Sequence, residues 1–177
     1  MKKFAILFVA MLILVGCGSS DDKTTAAAGT TGEAGTTAAA AANSGASDAF
    51  AFQSGDVTIA MNAEVAPILE KLGKEVEYFE SESCAFKGLD KQYTYASFIL
   101  KTYPIDGKDY VSSIEIKDDL VSTPEGISIG SSVADVTKAY GEPATAGNYS
   151  YTKGDSTLIF VIKDDAVTSI QYTAITK

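Results

Sequence analysis

Val111-Ser112-Ser113-Ile114 and Val167-Thr168-Ser169-Ile170 match position for position, 56 residues apart. The same offset carries Tyr93-Thr94-Tyr95 onto Tyr149-Ser150-Tyr151. Upstream, Ile59-Ala60-Met61 stands against Ile127-Ser128-Ile129 at an offset of 68 residues, with Val65, Ala66, Ile68 and Gly73 against Val133, Ala134, Val136 and Gly141. Two blocks in the same order imply an internal duplication. The offset falls by twelve from one block to the next, so the first copy holds twelve additional residues between Gly73 and Tyr93.

Each copy reads the same way. Val65, Ile68, Leu69 and Leu72 form an apolar stripe at helical spacing, and Val133, Val136 and Tyr140 repeat it. Ser132 with Asp135 three residues on reads as a capping box, and Pro67 falls in the first turn, where a missing N–H does least harm. Gly73 and Gly141 suit helix C-caps, with Pro143 just beyond the second. Strands follow. Phe98 to Ile105 and Tyr110 to Ile116 flank Asp106-Gly107, a strong turn dipeptide, while Leu158 to Ile162 and Val167 to Tyr172 flank Lys163-Asp164-Asp165-Ala166. Ile114 and Ile116 alternate with Ser113 and Glu115; Ile170 and Tyr172 alternate with Ser169 and Gln171. One apolar and one polar face describe an antiparallel sheet covered on one side. The expectation is an α+β class: two tandem repeats, about 55–119 and 120–177, each a helix packed on one face of a small antiparallel β-meander.

Ahead of this domain stands a leader. Lys2 and Lys3 precede an apolar run from Phe4 to Val15. Twelve residues fall short of the ~20 that span a bilayer as a helix, so residues 1–16 read as a secretory signal. Leu14-Val15-Gly16-Cys17 resembles the bacterial lipobox. That resemblance implies cleavage before Cys17 and a diacylglycerol on its thiol, which holds the chain to the extracytoplasmic side of the cell membrane. Residues 17–49 are mostly Ala, Gly, Thr and Ser after that cysteine. They cannot bury enough surface to offset their ordering entropy, and so read as a flexible tether. Cys84 is the only other cysteine. With Cys17 lipidated it has no partner within the chain, and it reads as a small buried apolar residue.

Charge narrows the partners. The chain has 14 Lys and Arg against 23 Asp and Glu, and none of the 14 is an arginine. Without Lys2 and Lys3, twelve cations face 23 acids, a net of −11. Such a surface argues against nucleic acid, whose phosphates need cationic neutralisation. Catalysis is not expected either. There is no histidine to act as base or metal ligand, Cys84 lacks any imidazole partner, and no cofactor or metal is implied. Asp118-Asp119 and Asp164-Asp165 lack EF-hand spacing and read as solvated turn acids.

Gly126-Ile127-Ser128-Ile129-Gly130-Ser131-Ser132-Val133 through Tyr140-Gly141-Glu142-Pro143 resembles the signature of SmpA/OmlA-type small lipoproteins. Two such units in tandem behind a secretion signal resemble the β-lactamase inhibitor protein. That likeness implies open sheet faces that grip a partner protein, so a β-lactamase or an envelope protein stays open as partner. The SmpA/OmlA likeness implies a structural lipoprotein that supports envelope assembly. No inhibitor contact residue carries over.

Binding fits the residues better than chemistry. Nine tyrosines stand against no tryptophan, and tyrosine is enriched at protein interfaces. Tyr93, Tyr95, Tyr149 and Tyr151 hold equivalent places and either line a shared binding face or pack under the helices with their hydroxyls at the rim. The polar strand positions Ser113, Glu115, Ser169 and Gln171 complete the candidate face. The additional segment supplies a candidate binding loop with Cys84, Phe86 and Asp90.

Overall fold

The computed structural model describes residues 49–176; the leader, Cys17 and almost all of the tether lie outside them. In chain order the elements are β1 (Ala51–Ser54), β2 (Val57–Ala60), α1 (Ala66–Leu72), β3 (Glu77–Glu82), β4 (Leu89–Thr94), β5 (Phe98–Ile105), β6 (Lys108–Ile116), α2 (Val133–Tyr140), β7 (Tyr149–Lys153), β8 (Ser156–Lys163) and β9 (Ala166–Ala174). β1 and β2 form a hairpin of their own. The other seven strands make one antiparallel sheet in the order β3-β4-β5-β6-β9-β8-β7.

This corrects the expectation of two helix-on-meander repeats in an α+β fold. Strand accounts for 49% of the structure and helix for 12%, with two helices of seven and eight residues. The fold is mostly β, and the presumed units are not separate. β6 pairs with β9 through Ser113↔Thr173, Ile114↔Tyr172, Glu115↔Gln171 and Ile116↔Ile170. Periodicity tells which side chains share a face but not which strands pair. Two free-standing meanders would expose four edges, whereas fusion at β6 and β9 leaves two, and exposed edges are a liability. The upstream match also diverges in form: residues 57–60 are β2, while 127–129 are irregular.

The matched tetrapeptides explain themselves through a bulge. In Val111-Ser112-Ser113-Ile114 the two apolar residues are three apart, so strict alternation would send them to opposite faces. The ladder between β5 and β6 steps from Lys101↔Ser113 to Thr102↔Val111 and leaves Ser112 unpaired. That one extra residue returns Val111 to the face of Ile114. β8 and β9 do the same, stepping from Val161↔Ser169 to Ile162↔Val167 past Thr168. Val111, Ile114, Val167 and Ile170 are all buried. The hairpins that carry these ladders turn on Asp106-Gly107 and Asp164-Asp165, and all four residues have positive φ. A two-residue turn of that hand matches the strand twist, and Asp tolerates it better than most side chains.

Register then aligns two apolar rows across the sheet. One runs Tyr93, Leu100, Ile114, Tyr172, Leu158, Tyr151; the other runs Phe98, Ile116, Ile170, Phe160, Tyr149. Phe52 and Ile59 from the β1–β2 hairpin, Val65 and Ile68 at α1, Val136 from α2 and Ile127 from the preceding loop join them in one core. Core burial at roughly 25 cal/mol per Å2 of apolar area is the main stabilising contribution. Ser132 accepts from the Asp135 N–H at 3.2 Å while Asp135 accepts from the Ser132 N–H at 3.3 Å, which satisfies two free donors at the start of α2. α1 starts at Val65 with no side-chain cap.

Candidate binding cleft

The eight residues expected to form one binding face lie on two. Cross-strand pairing puts Tyr93, Tyr149 and Tyr151 in the rows under the helices. Tyr95 is buried just past β4 and stacks on Phe98 with ring centroids 4.9 Å apart. Its hydroxyl donates to the Gly73 carbonyl at 3.4 Å, and the Tyr151 hydroxyl donates to the Gly141 carbonyl at 2.9 Å. Each of these two tyrosines therefore ties the C-terminal end of a helix to the sheet. Burial raises the pKa of Tyr93, Tyr95 and Tyr151 above the ordinary phenol value.

Ser113, Glu115, Ser169 and Gln171 take the opposite face. Glu115 and Gln171 are direct cross-strand neighbours there. Glu115 meets Lys101 at 3.6 Å, and Ser113 is buried. Next to them run Gln92, Lys101, Thr173 and Thr157, paired in series with Ser113. Among the described residues, the helices and the β1–β2 hairpin all join the core on the other side.

The twelve additional residues explain what makes the first half different. They supply β3 and the turn that returns to β4. Ser83 shapes that turn: its side chain accepts from the N–H groups of Ala85 and Phe86 at 3.4 and 3.2 Å, and its own N–H donates to the Gly88 carbonyl at 3.0 Å. Gly88 has φ +136°, and a Cβ there would stand 2.9 Å from the Pro104 Cβ, so the loop seats on β5 only with glycine. Phe86 packs its ring on Tyr103 at 5.0 Å, and the Tyr103 hydroxyl donates to Asn62 Oδ1 at 2.8 Å. Cys84 is exposed and free, which overturns its reading as a buried apolar group. A tight turn whose inward anchor is Phe86 points its neighbours outward.

Between this turn and the helix-free sheet face lies a cleft of about 330 Å3, with Phe79, Phe86, Asp90, Gln92, Lys101 and Tyr103 on its walls. Phe86 and Asp90, singled out from sequence, come together here; Cys84 sits on the rim between two lining residues, Ser83 and Ala85. Phe79, Gln92, Lys101 and Tyr103 were not legible as site residues. Phe79 lay in the additional segment but carried no motif, and the other three reach the cleft only through register. A larger hollow of about 760 Å3 lies between α1, β2 and the β7–β8 turn, lined by Met61, Asn62, Pro67, Ile68 and Lys71. It gathers fewer side chains able to orient a ligand.

No protein-family model, curated protein or solved structure matches the chain. The cleft must therefore be judged on its own residues. Gly126-Ile127-Ser128-Ile129-Gly130 spells Gly-Xaa-Ser-Xaa-Gly, but a nucleophile elbow joins a strand directly to a helix, and these residues are irregular on both sides of Ser128. Among the described residues there is no group of three or more His, Cys, Asp or Glu placed to hold a metal, and no helix long and apolar enough to cross a membrane.

Proposed function

We propose that this chain is a lipid-anchored binding module on the extracytoplasmic side of the cell membrane, and that it recognises a protein of the envelope through the helix-free sheet face and the cleft beside it. The charged start, the short apolar run and Leu14-Val15-Gly16-Cys17 support the anchor. Lipid adds roughly 0.8 kcal/mol per buried methylene, so two or more chains hold a protein stably. One observation carries the binding reading. The additional segment buries little of itself and instead builds a concave wall of Phe79 and Phe86 against Asp90, Gln92 and Lys101. Aromatic surface with a few polar groups to set orientation is the composition of recognition sites.

Cys84 provides the test, because lipid on Cys17 would leave it the sole free thiol. A photoactivatable reagent placed on Cys84 of the full anchored chain, in native membranes, is expected to trap one discrete partner. Phe86→Ala should abolish that species while the chain stays folded by circular dichroism. Loss of the reading would follow from a set of adducts indifferent to Phe86→Ala. Mass spectrometry of the mature N-terminus tests the anchor: an unmodified terminus at another residue overturns it.

A further inference from the structure

Among the described residues, four of the eight exposed large apolar side chains gather at one sheet edge, while the other four, Leu120 among them, lie scattered elsewhere. Val76 is 72% exposed, Tyr78 45% and Phe79 63%, and Leu89 adds to them across the turn. All six residues of β3 are exposed, and β3 pairs on one side only, with β4. In an antiparallel strand every second residue directs its N–H and C=O to one side, so the outer side of β3 carries open donors and acceptors. β7, at the opposite edge, differs. It is five residues long, and Tyr149 and Tyr151 turn inward to the core.

Within β3 the charge has one sign, from Glu77, Glu80 and Glu82; Lys74 and Glu75 precede the strand. Among the described residues no lysine forms an ion pair with any of these glutamates. The lysine nearest in register, Lys91, is bound to Asp109 at 2.7 Å. Two copies of β3 laid edge to edge would set glutamate against glutamate, and like charges on facing strands are destabilising. The same glutamates welcome a strand of opposite charge. Alternation puts Glu77 and Phe79 on the helix-free face and Tyr78, Glu80 and Glu82 on the other, so each face offers one aromatic ring and at least one carboxylate.

We infer that β3 accepts an extended peptide segment of its partner by strand addition, and that this segment carries lysine or arginine at alternate positions. Backbone hydrogen bonds extend the sheet by one strand, while the glutamates and the two rings select the side chains. The inference rests on the binding-module reading and sharpens it, since Phe79 belongs both to this edge and to the cleft.

The test uses the full-length, isotope-labelled chain in detergent micelles and three short blocked peptides. The first alternates lysine with valine, the second alternates glutamate with valine, and the third is the lysine peptide methylated at alternate backbone nitrogens. The lysine peptide is expected to shift and protect the amides of Tyr78 to Glu82, more weakly as salt is raised. The glutamate peptide should leave them unchanged. Methylation, which deletes ladder bonds without touching charge, should weaken binding about tenfold or more, as should joint Glu77→Lys, Glu80→Lys and Glu82→Lys. Binding without protection of β3, equal binding of the methylated peptide, indifference to charge reversal, or no binding at millimolar peptide would each overturn the inference. If Cys84 traps a partner and the peptides fail, the edge inference falls alone. If the peptides add to β3 and Cys84 traps nothing, the proposed function falls and the edge stands.

Discussion

The two halves of the large sheet share a bulged hairpin and a tyrosine tied to a helix end, yet they are finished differently. The second half closes itself. α2 has a complete capping box, Tyr151 reaches the Gly141 carbonyl at 2.9 Å, and the edge strand β7 turns its aromatic rings inward. The first half stays open. α1 has no side-chain cap, the Tyr95 bond is longer at 3.4 Å, and β3 carries exposed Tyr78 and Phe79. The difference teaches that one hairpin plan can end in a closed edge or an open one, and that the twelve additional residues carry the open edge's exposed rings.

The largest effect should fall where the halves cannot be told apart. Ile114 and Ile170 are fully buried on the two strands of the seam. Ile114→Ala and Ile170→Ala should each cost about 2–5 kcal/mol in denaturant unfolding. A cost near zero at one of them would mean that its half contributes nothing to the shared core, and the comparison would break.

Helix capping should come next and touch one half only. Ser132→Ala should destabilise by about 1 kcal/mol, with no equivalent cost at Val65→Ala beyond lost packing. Hydrogen bonds from Ser132 hold the Asp135 carboxyl below its ordinary value. A depressed folded pKa means that this contribution is present above the unfolded value and is lost as pH falls through the folded one. Ser132→Ala should therefore flatten the acid limb of the stability profile below pH 3.8. An unchanged limb would sink the capping argument.

A substitution of opposite sign sharpens the comparison. Among the described residues the buried Tyr172 hydroxyl has no hydrogen-bond partner, whereas the Tyr140 hydroxyl donates to Thr123 or to the Glu125 carboxylate. Tyr172→Phe should be neutral or stabilising by up to about 1 kcal/mol, and Tyr140→Phe destabilising by about as much. Burial raises both phenols above the ordinary value of 10.0. Stability from a raised pKa is complete below the unfolded value and is lost as pH rises beyond it, so thermal melts should drop above pH 10. Tyr172→Phe should lessen that drop, and an identical alkaline limb in the variant would remove Tyr172 as its source.

The smallest stability change should come where display is greatest. Phe79→Ala should shift unfolding by no more than about 0.5 kcal/mol, as surface substitutions do, while it reduces capture through Cys84. A large loss of stability would show that Phe79 serves the fold.

Much of the strand pattern was legible because side-chain alternation is local. Ile116 against Glu115 and Ile170 against Gln171 name a buried and an open face without any structure. The seam was not legible, since pairing between β6 and β9 depends on which edges are left free once each hairpin has formed. The same limit hid the cleft. Lys101 and Gln92 are ordinary strand residues until register sets them beside Phe79. The tyrosine pairs were legible as equivalent, but Tyr95 and Tyr151 turned out to hold helix ends, because the carbonyls of Gly73 and Gly141 lie within reach of their hydroxyls. Cys84 departs from the usual burial of cysteine because Phe86 already anchors its turn on Tyr103 and leaves the neighbouring side chains outward.

The seam also orders events in time. β5 with β6 and β8 with β9 are joined by two-residue turns and can zip locally, on the order of microseconds. β6 with β9 joins strands more than fifty residues apart, as Ile116↔Ile170 shows, and such distant pairing is slow to find. As the chain emerges, the first half has residues 113–116 of β6 unpaired on one side, while residues 109–111 bond residues 62–65. It must wait in that state until β9, the last strand in chain order, arrives. Throughout that interval the sheet has two adhesive borders instead of one closed seam, and the chain is then at its most vulnerable to proteases and to its neighbours.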